Sequence, residues 1–155
     1  MPDHVLVAAR QLVSNSLDEL RTAVAGLPPA ALNWRPAPDT NSMAVLVTHT
    51  MHSTHLWLRL AMGLPLPERD RDSEFRAVED DPAALLRLVD TLTAECVAAL
   101  GSAEAVDWDT MRATQGRGGD APAEVPAAYA LIHATEHLRG HVDQATLMRS
   151  LWDAR

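Results

Sequence analysis

Six of the seven histidines fall into two groups: "THTMHSTHLW", with His49, His52 and His55, and "LIHATEHLRGHVDQ", with His133, His137 and His141. Imidazole is both a common metal ligand and the side chain that exchanges a proton near neutral pH. The second group recurs in steps of four residues, so on a helix neighbouring members lie about 6 Å apart on one face, and two of them can chelate one ion. The groups are separated by about eighty residues, so they act together only if the fold brings their helices side by side.

Other chemistries fit the same residues less well. "HATEH" at 133–137 matches the inverted zincin pattern HxxEH, with Glu136 as the would-be general base. On a helix, however, Glu136 points about 160° and His133 about 140° away from the apolar stripe. The ordinary HExxH pattern is absent, because Leu138 follows His137, and no Ser/His/Asp arrangement stands out. Cys96 is the only cysteine and lies in "LVDTLTAECVAAL", where a small buried apolar role is expected; an internal disulfide and a thiolate-based structural zinc site are thereby excluded. The chain contains no lysine, all thirteen of its cationic residues being arginine, which excludes Schiff-base and lysine general-base mechanisms. "TQGRGGDAP" is a glycine-rich surface loop that lacks both the Walker lysine and the dinucleotide-binding glycine spacing.

Helical periodicity dominates and predicts four long helices. The first runs from about Asp3 to Ala25, with Val5, Leu6, Leu12, Val13, Leu17, Leu20 and Val24 at three- and four-residue steps and Gly26 ending it. After the proline-rich "LPPAALNWRPAPDTN", the second starts with Asn41 or Ser42 as N-cap and reaches Ala61 or Met62. "GLPLPERDRDSEF" reads as a polar connection; Asp81 then caps a third helix that has Pro82 in its first turn and ends near Gly101. An irregular stretch from Ser102 to Val125 precedes a fourth helix from about Pro126 through Leu151. Four helices with long connections after the first three describe an all-α four-helix bundle in a single domain over residues 1–155.

Angles about each helix rank the histidines. In the second helix His49 falls about 20° from the centre of the apolar stripe, His52 about 80° and His55 about 140°, so His49 faces the core and His55 faces water. In the fourth, His141 lies about 60° from the stripe, His137 about 100° and His133 about 140°, so depth falls from His141 to an outward-facing His133. A buried neutral imidazole must satisfy two nitrogens, and an ion satisfies one directly. A hydrogen-bonded structural histidine meets the same need, and an HxxxH pair is common by chance; on the residues alone both readings stand.

Three stretches carry a resemblance to a known family: "LNWRPAPDTNSMAVLVTH", ending in His49; "HLWL", with Trp57 eight residues after His49; and "HLRGHVDQ" in the last helix. Together they resemble the DinB-like (DinB/YfiT-like) superfamily of metal-binding four-helix-bundle proteins, and "HLRGHVDQ" is similar to that family's HxxxHxxQ ending. The resemblance spans nearly the whole chain to Gln144. It implies up-down-down-up topology, a metal triad of His49, His137 and His141, a divalent ion (zinc or nickel) in a groove between helices, and pairing as a homodimer. It also implies a class of activity, because some relatives are S-transferases or isomerases that use mycothiol or bacillithiol. His52, His55 and His133 exceed the family pattern and leave an alternative or fourth ligand open. The expected function is a metal-dependent thiol S-transferase acting on a small-molecule substrate. A metal-dependent hydrolase and a non-catalytic metal-binding module are the alternatives. Arg35 reads as a surface arginine beside a packed Trp34 or as a carboxylate clamp, and Gln144 as a partner of the site or a solvent-facing residue.

The bulk numbers agree with this class. The 155 residues are 47% hydrophobic and 22% charged, in the range of a globular domain with one core. A net charge of −8 provides no basic footprint for nucleic acid. The N-terminus has no basic n-region, and no apolar run reaches membrane-spanning length, so a cytoplasmic location without membrane association is expected.

Overall fold

Local chemistry starts each long helix. In the computed structural model, which describes residues 2–115 and 122–155, α1 (His4–Val24) begins where Asp3 accepts a hydrogen bond from the Leu6 amide at 3.0 Å. Ser42 accepts from Val45 at 3.2 Å to start α3 (Met43–Ala61), and Asp81 accepts from Ala83 at 2.9 Å to start α5 (Pro82–Leu100). These side chains satisfy amides that the first helical turn leaves without partners. The last helix, α6 (Ala127–Asp153), follows Pro126. Short helices α2 (Pro29–Leu32) and α4 (Arg71–Glu74) lie in the first two connections, and an antiparallel pair of three-residue strands, β1 (Met111–Ala113) and β2 (Glu124–Pro126), lies in the third. Most of "TQGRGGDAP" falls outside the described residues. Ser42 is buried, so Ser42→Ala should lower stability by about 1 kcal/mol, read as a reduced urea midpoint at unchanged slope.

Side-chain pairs fix the helix directions. Arg21 meets Asp90 at 2.7 Å, while Arg10 donates to the carbonyl oxygens of Leu100 and Ala103, each at 2.8 Å, so α1 and α5 are antiparallel. Arg139 meets Glu19 at 2.7 Å and Arg149 donates to the Ala25 carbonyl at 2.8 Å, so α1 and α6 are parallel. On α3, His49 faces His137 and His141, whereas Trp57 faces His133 and Tyr129, so α3 and α6 are antiparallel. The order is therefore up-down-down-up, with α1 and α3 each packed between α5 and α6. Because α3 and α5 are parallel neighbours, the chain between them must travel back along the bundle. Residues 62–81 do this, and they pass the two histidine helices on the way.

The core is built from Leu6, Val13, Leu17 and Leu20 of α1, Leu46, Val47 and Met51 of α3, Leu85 and Val89 of α5, and Leu138 and Val142 of α6. Cys96 is buried among them, as expected. Val5 and Leu12, assigned to the apolar stripe by spacing, are instead exposed; each stands about 100° from a truly buried neighbour, Leu6 and Val13. Gly63 follows α3 at φ +68°, a backbone conformation that favours glycine, and the Arg112 guanidinium packs against it. Among the described residues no helix is long and apolar enough to cross a membrane.

Candidate metal centre

The antiparallel seam of α3 and α6 brings the two histidine groups together. His137 is central: its Nε2 lies 3.2 Å from Nε2 of His49 and 3.2 Å from Nε2 of His141. One nitrogen from each of the three lies within 4.8 Å of the others, and among the described residues no other histidine, cysteine or acidic side chains gather in this way. Four ligands at about 2.0–2.1 Å around zinc stand roughly 3.3 Å apart, so the measured separations suit one ion.

Outer partners orient two of the rings. Nδ1 of His49 lies 2.9 Å from Oε2 of Glu74, a side chain only 3% exposed. A carboxylate only accepts, so Nδ1 carries a proton, and in the neutral ring that leaves Nε2 as the lone pair. Nδ1 of His141 lies 2.9 Å from Oε1 of Gln144, which imposes the same tautomer and makes Gln144 a partner of the site. Two lone pairs thus converge on His137, whose single Nε2 hydrogen could satisfy only one of them well. Its buried Nδ1 has no hydrogen-bond partner among the described residues. A cation is the group that would satisfy three convergent imidazole nitrogens together.

Electrostatics point the same way. Burial, followed by the neighbouring His141 and His49, pushes His137 down to about 3, and burial also lowers His141. Both are therefore neutral, as ligands must be. Burial by itself would raise the Glu74 carboxyl, but hydrogen bonds from His49 and Arg69 outweigh it and hold the group below its ordinary value. Arg69 grips that carboxylate with both arms, Nε to Oε1 at 2.6 Å and Nη2 to Oε2 at 2.8 Å. The depressed His137 value fixes a sign for the metal-free protein. A histidine of unfolded pKa about 6.5 and folded pKa about 3 makes the unfolded state bind more protons between these values. Its contribution is fully present above 6.5 and is lost as pH falls towards 3. The melting temperature of the metal-free protein should fall across that window, and less steeply in His137→Ala.

His49 and His137 line a cleft of about 450 Å³, together with Leu56, Trp57 and His133 and with the polar residues Arg69, Asp70, Arg71, Asp72 and Gln115. The cavity is large enough for a small-molecule ligand.

Two angular expectations are corrected. His55 does not face water: it is 6% exposed, like His49, and its Nε2 lies 3.1 Å from Glu95 Oε2 at the α5 seam. His133 is not an outward-facing surface residue: it is half-buried, stands 4.3 Å from the Trp57 ring and 5.8 Å from Tyr129, and lines the cleft. For His55 the cause is enclosure: fifteen of the nineteen residues of α3 are buried, because it is packed by α5, α6 and the crossover, so direction from one apolar stripe does not measure exposure there. For His133, on α6, the cause is the Trp57 ring of α3, which covers a direction outside the stripe. His137 is also enclosed as fully as His141, against the expected gradient of depth. Glu136 is exposed, which removes the inverted zincin reading. Arg35 is exposed and donates to the Thr40 carbonyl at 2.9 Å, and Trp34 packs on Trp152 at 5.6 Å.

Glu74, Arg69 and Phe75, whose ring lies 4.6 Å from that of His49, are site residues that the sequence reading missed. The one local signal was Asp70, which caps α4 by accepting from Ser73 at 3.0 Å.

The fold and this convergence of imidazoles define an all-α bundle with a histidine site between its second and fourth long helices. A family model described as the DinB superfamily matches residues 12–145, and the chain belongs to that superfamily. A crystal structure of a conserved protein from Enterococcus faecalis superposes over 100% of this chain and 99% of its own length, with a TM-score of 0.70 and 17% identity. The crystal structure of a mycothiol-dependent maleylpyruvate isomerase superposes with a TM-score of 0.66 and 17% identity, covering 89% of this chain and 59% of that protein's length. At these identities the likeness is one of fold. No curated protein matches the sequence.

Proposed function

We propose that the chain is a divalent-metal-dependent enzyme of the low-molecular-weight-thiol S-transferase or isomerase class, with His49, His137 and His141 as its zinc or nickel ligands. One observation carries the reading: three imidazole Nε2 atoms converge, two of the rings are oriented by outer partners, and His49 and His137 line a cleft. An ion held there lowers the pKa of a thiol or water ligand, giving a nucleophile at neutral pH. The chain's single thiol is not placed for this, since burial pushes Cys96 up to about 12 and the residue lies in the core. An external thiol fits that gap. The fold likeness to a mycothiol-dependent isomerase makes this thiol class the first to test. Trp57, Leu56 and His133 would bind the less polar part of a substrate, and Arg71 and Gln115, beside Asp70 and Asp72, its polar part.

The experiment is a turnover screen of untagged zinc- and nickel-loaded protein with mycothiol or bacillithiol and electrophilic acceptors. The proposal expects thiol consumption that requires the metal and disappears in His49→Ala. Equal turnover of a substrate without thiol would replace it with the hydrolase reading. A large metal-induced rise in melting temperature without any turnover would replace it with a non-catalytic module. Homodimer formation belongs to the same proposal. Val5, Val7 and Leu12 on α1 and Ile132, Leu147 and Leu151 on α6 are exposed apolar side chains that a second copy could cover, and sedimentation velocity tests it.

A further inference from the structure

The crossover between α3 and α5 sends one buried charged pair into the histidine cluster. Glu74 ends α4, and Arg69 lies five residues before it. Their side chains are 3% and 12% exposed, and the guanidinium engages both carboxylate oxygens. A buried surplus charge would be costly, but this pair is neutral as a unit and its geometry is two-armed, the strongest form of such a contact. Among the described residues, one further side chain comes within hydrogen-bond distance of the pair: Nδ1 of His49, at 2.9 Å from Glu74 Oε2 and 3.4 Å from Arg69 Nη2. The shorter contact is to the acceptor, so the ring donates there.

We infer that Arg69 and Glu74 are a positioning pair for His49: Arg69 fixes the plane and charge of the Glu74 carboxylate, and Glu74 fixes the ring angle and tautomer that aim Nε2 at the ion. The inference rests on the proposed triad. Neither residue touches the ion's position through its own ligand atoms; both act through His49. Outer-shell partners of this kind typically change metal affinity by about 10–100-fold.

The test measures zinc affinity by competition with a chromophoric chelator, and the visible spectrum of the cobalt(II)-loaded protein. It uses wild type, Glu74→Gln, the double variant Arg69→Gln/Glu74→Gln and, as a control for lost stability, Leu17→Ala in the core of α1. Both crossover variants should bind zinc about 10–100-fold more weakly and shift the cobalt bands, while Leu17→Ala keeps wild-type affinity and spectrum. The double variant leaves no unpaired buried charge, so it supplies the answer if Glu74→Gln alone does not fold. Affinity within threefold of wild type and an unchanged cobalt spectrum in the crossover variants would overturn the inference while leaving the triad in place. Affinity that falls equally in Leu17→Ala would also overturn it, by reducing the effect to stability. Absence of zinc binding by wild type would overturn the triad and this inference together.

Discussion

Replacing His137 by alanine is expected to weaken zinc binding by roughly a few hundredfold to a thousandfold. Apparent binding free energies of four-ligand zinc sites are about 10–16 kcal/mol, so one ligand represents about 3–4 kcal/mol, at about 1.4 kcal/mol per factor of ten. His137 is the position to test first because its Nε2 is 3.2 Å from both partners. Without it, His49 and His141 no longer share a common neighbour. Competition titration reads the affinity, and thermal melting gives an independent check. Wild type at a zinc concentration a thousand times its Kd should gain about 4 kcal/mol of apparent stability, and His137→Ala should lose nearly all of that gain. A variant that keeps wild-type zinc affinity would remove His137 from the ligand set.

Arg69→Ala should be the most damaging change in the crossover. It leaves the Glu74 carboxylate buried without its cation, and breaking a buried pair from one side costs about 3–5 kcal/mol. The pH dependence follows from the directions of the shifts. In the wild type the Glu74 carboxyl lies below its ordinary value, so its contribution is fully present above an unfolded pKa of about 4.3 and is lost as pH falls through the folded value. In Arg69→Ala burial is opposed by one partner fewer and the carboxyl rises. The gap between variant and wild type should therefore be widest near neutral pH and narrow in acid. Urea denaturation at pH 7 and pH 4 measures both points. A loss below about 1 kcal/mol at pH 7 would class the pair with ordinary surface ion pairs.

The parts of this molecule that were legible in the sequence are those with a local physical cause. Asp3, Ser42 and Asp81 cap their helices because a short polar side chain before an apolar period can reach a free amide, a signal contained within about four residues. Spacing of i, i+4 sets His137 beside His141, and His49 sits at the centre of a stripe that must face another helix. On the residues alone, however, a structural role stood equal to a ligand role; the resemblance joined the three, whose Nε2 atoms the fold brings together. The crossover was not legible. Arg69 and Glu74 lie in a segment with no period, and their partner, His49, is twenty or more residues away. Apart from Asp70, which caps α4, nothing local distinguishes "ERDRDSEF" from a solvated loop. The strand pair has only three residues per strand, too few for an alternation to be seen. His55 and His133 were misplaced for a different reason. A helical wheel gives a direction, whereas burial depends on what lies in that direction, here Glu95 on α5 and the Trp57 and Tyr129 rings.

The central claim, that three imidazoles hold one divalent ion, is tested most directly by X-ray absorption of untagged, zinc-loaded protein. The account predicts one zinc per chain, a first shell at about 2.0–2.1 Å, and outer-shell scattering from three imidazole rings that drops to two in His137→Ala. Substoichiometric zinc, or a spectrum whose imidazole scattering is the same in wild type and His137→Ala, would contradict it.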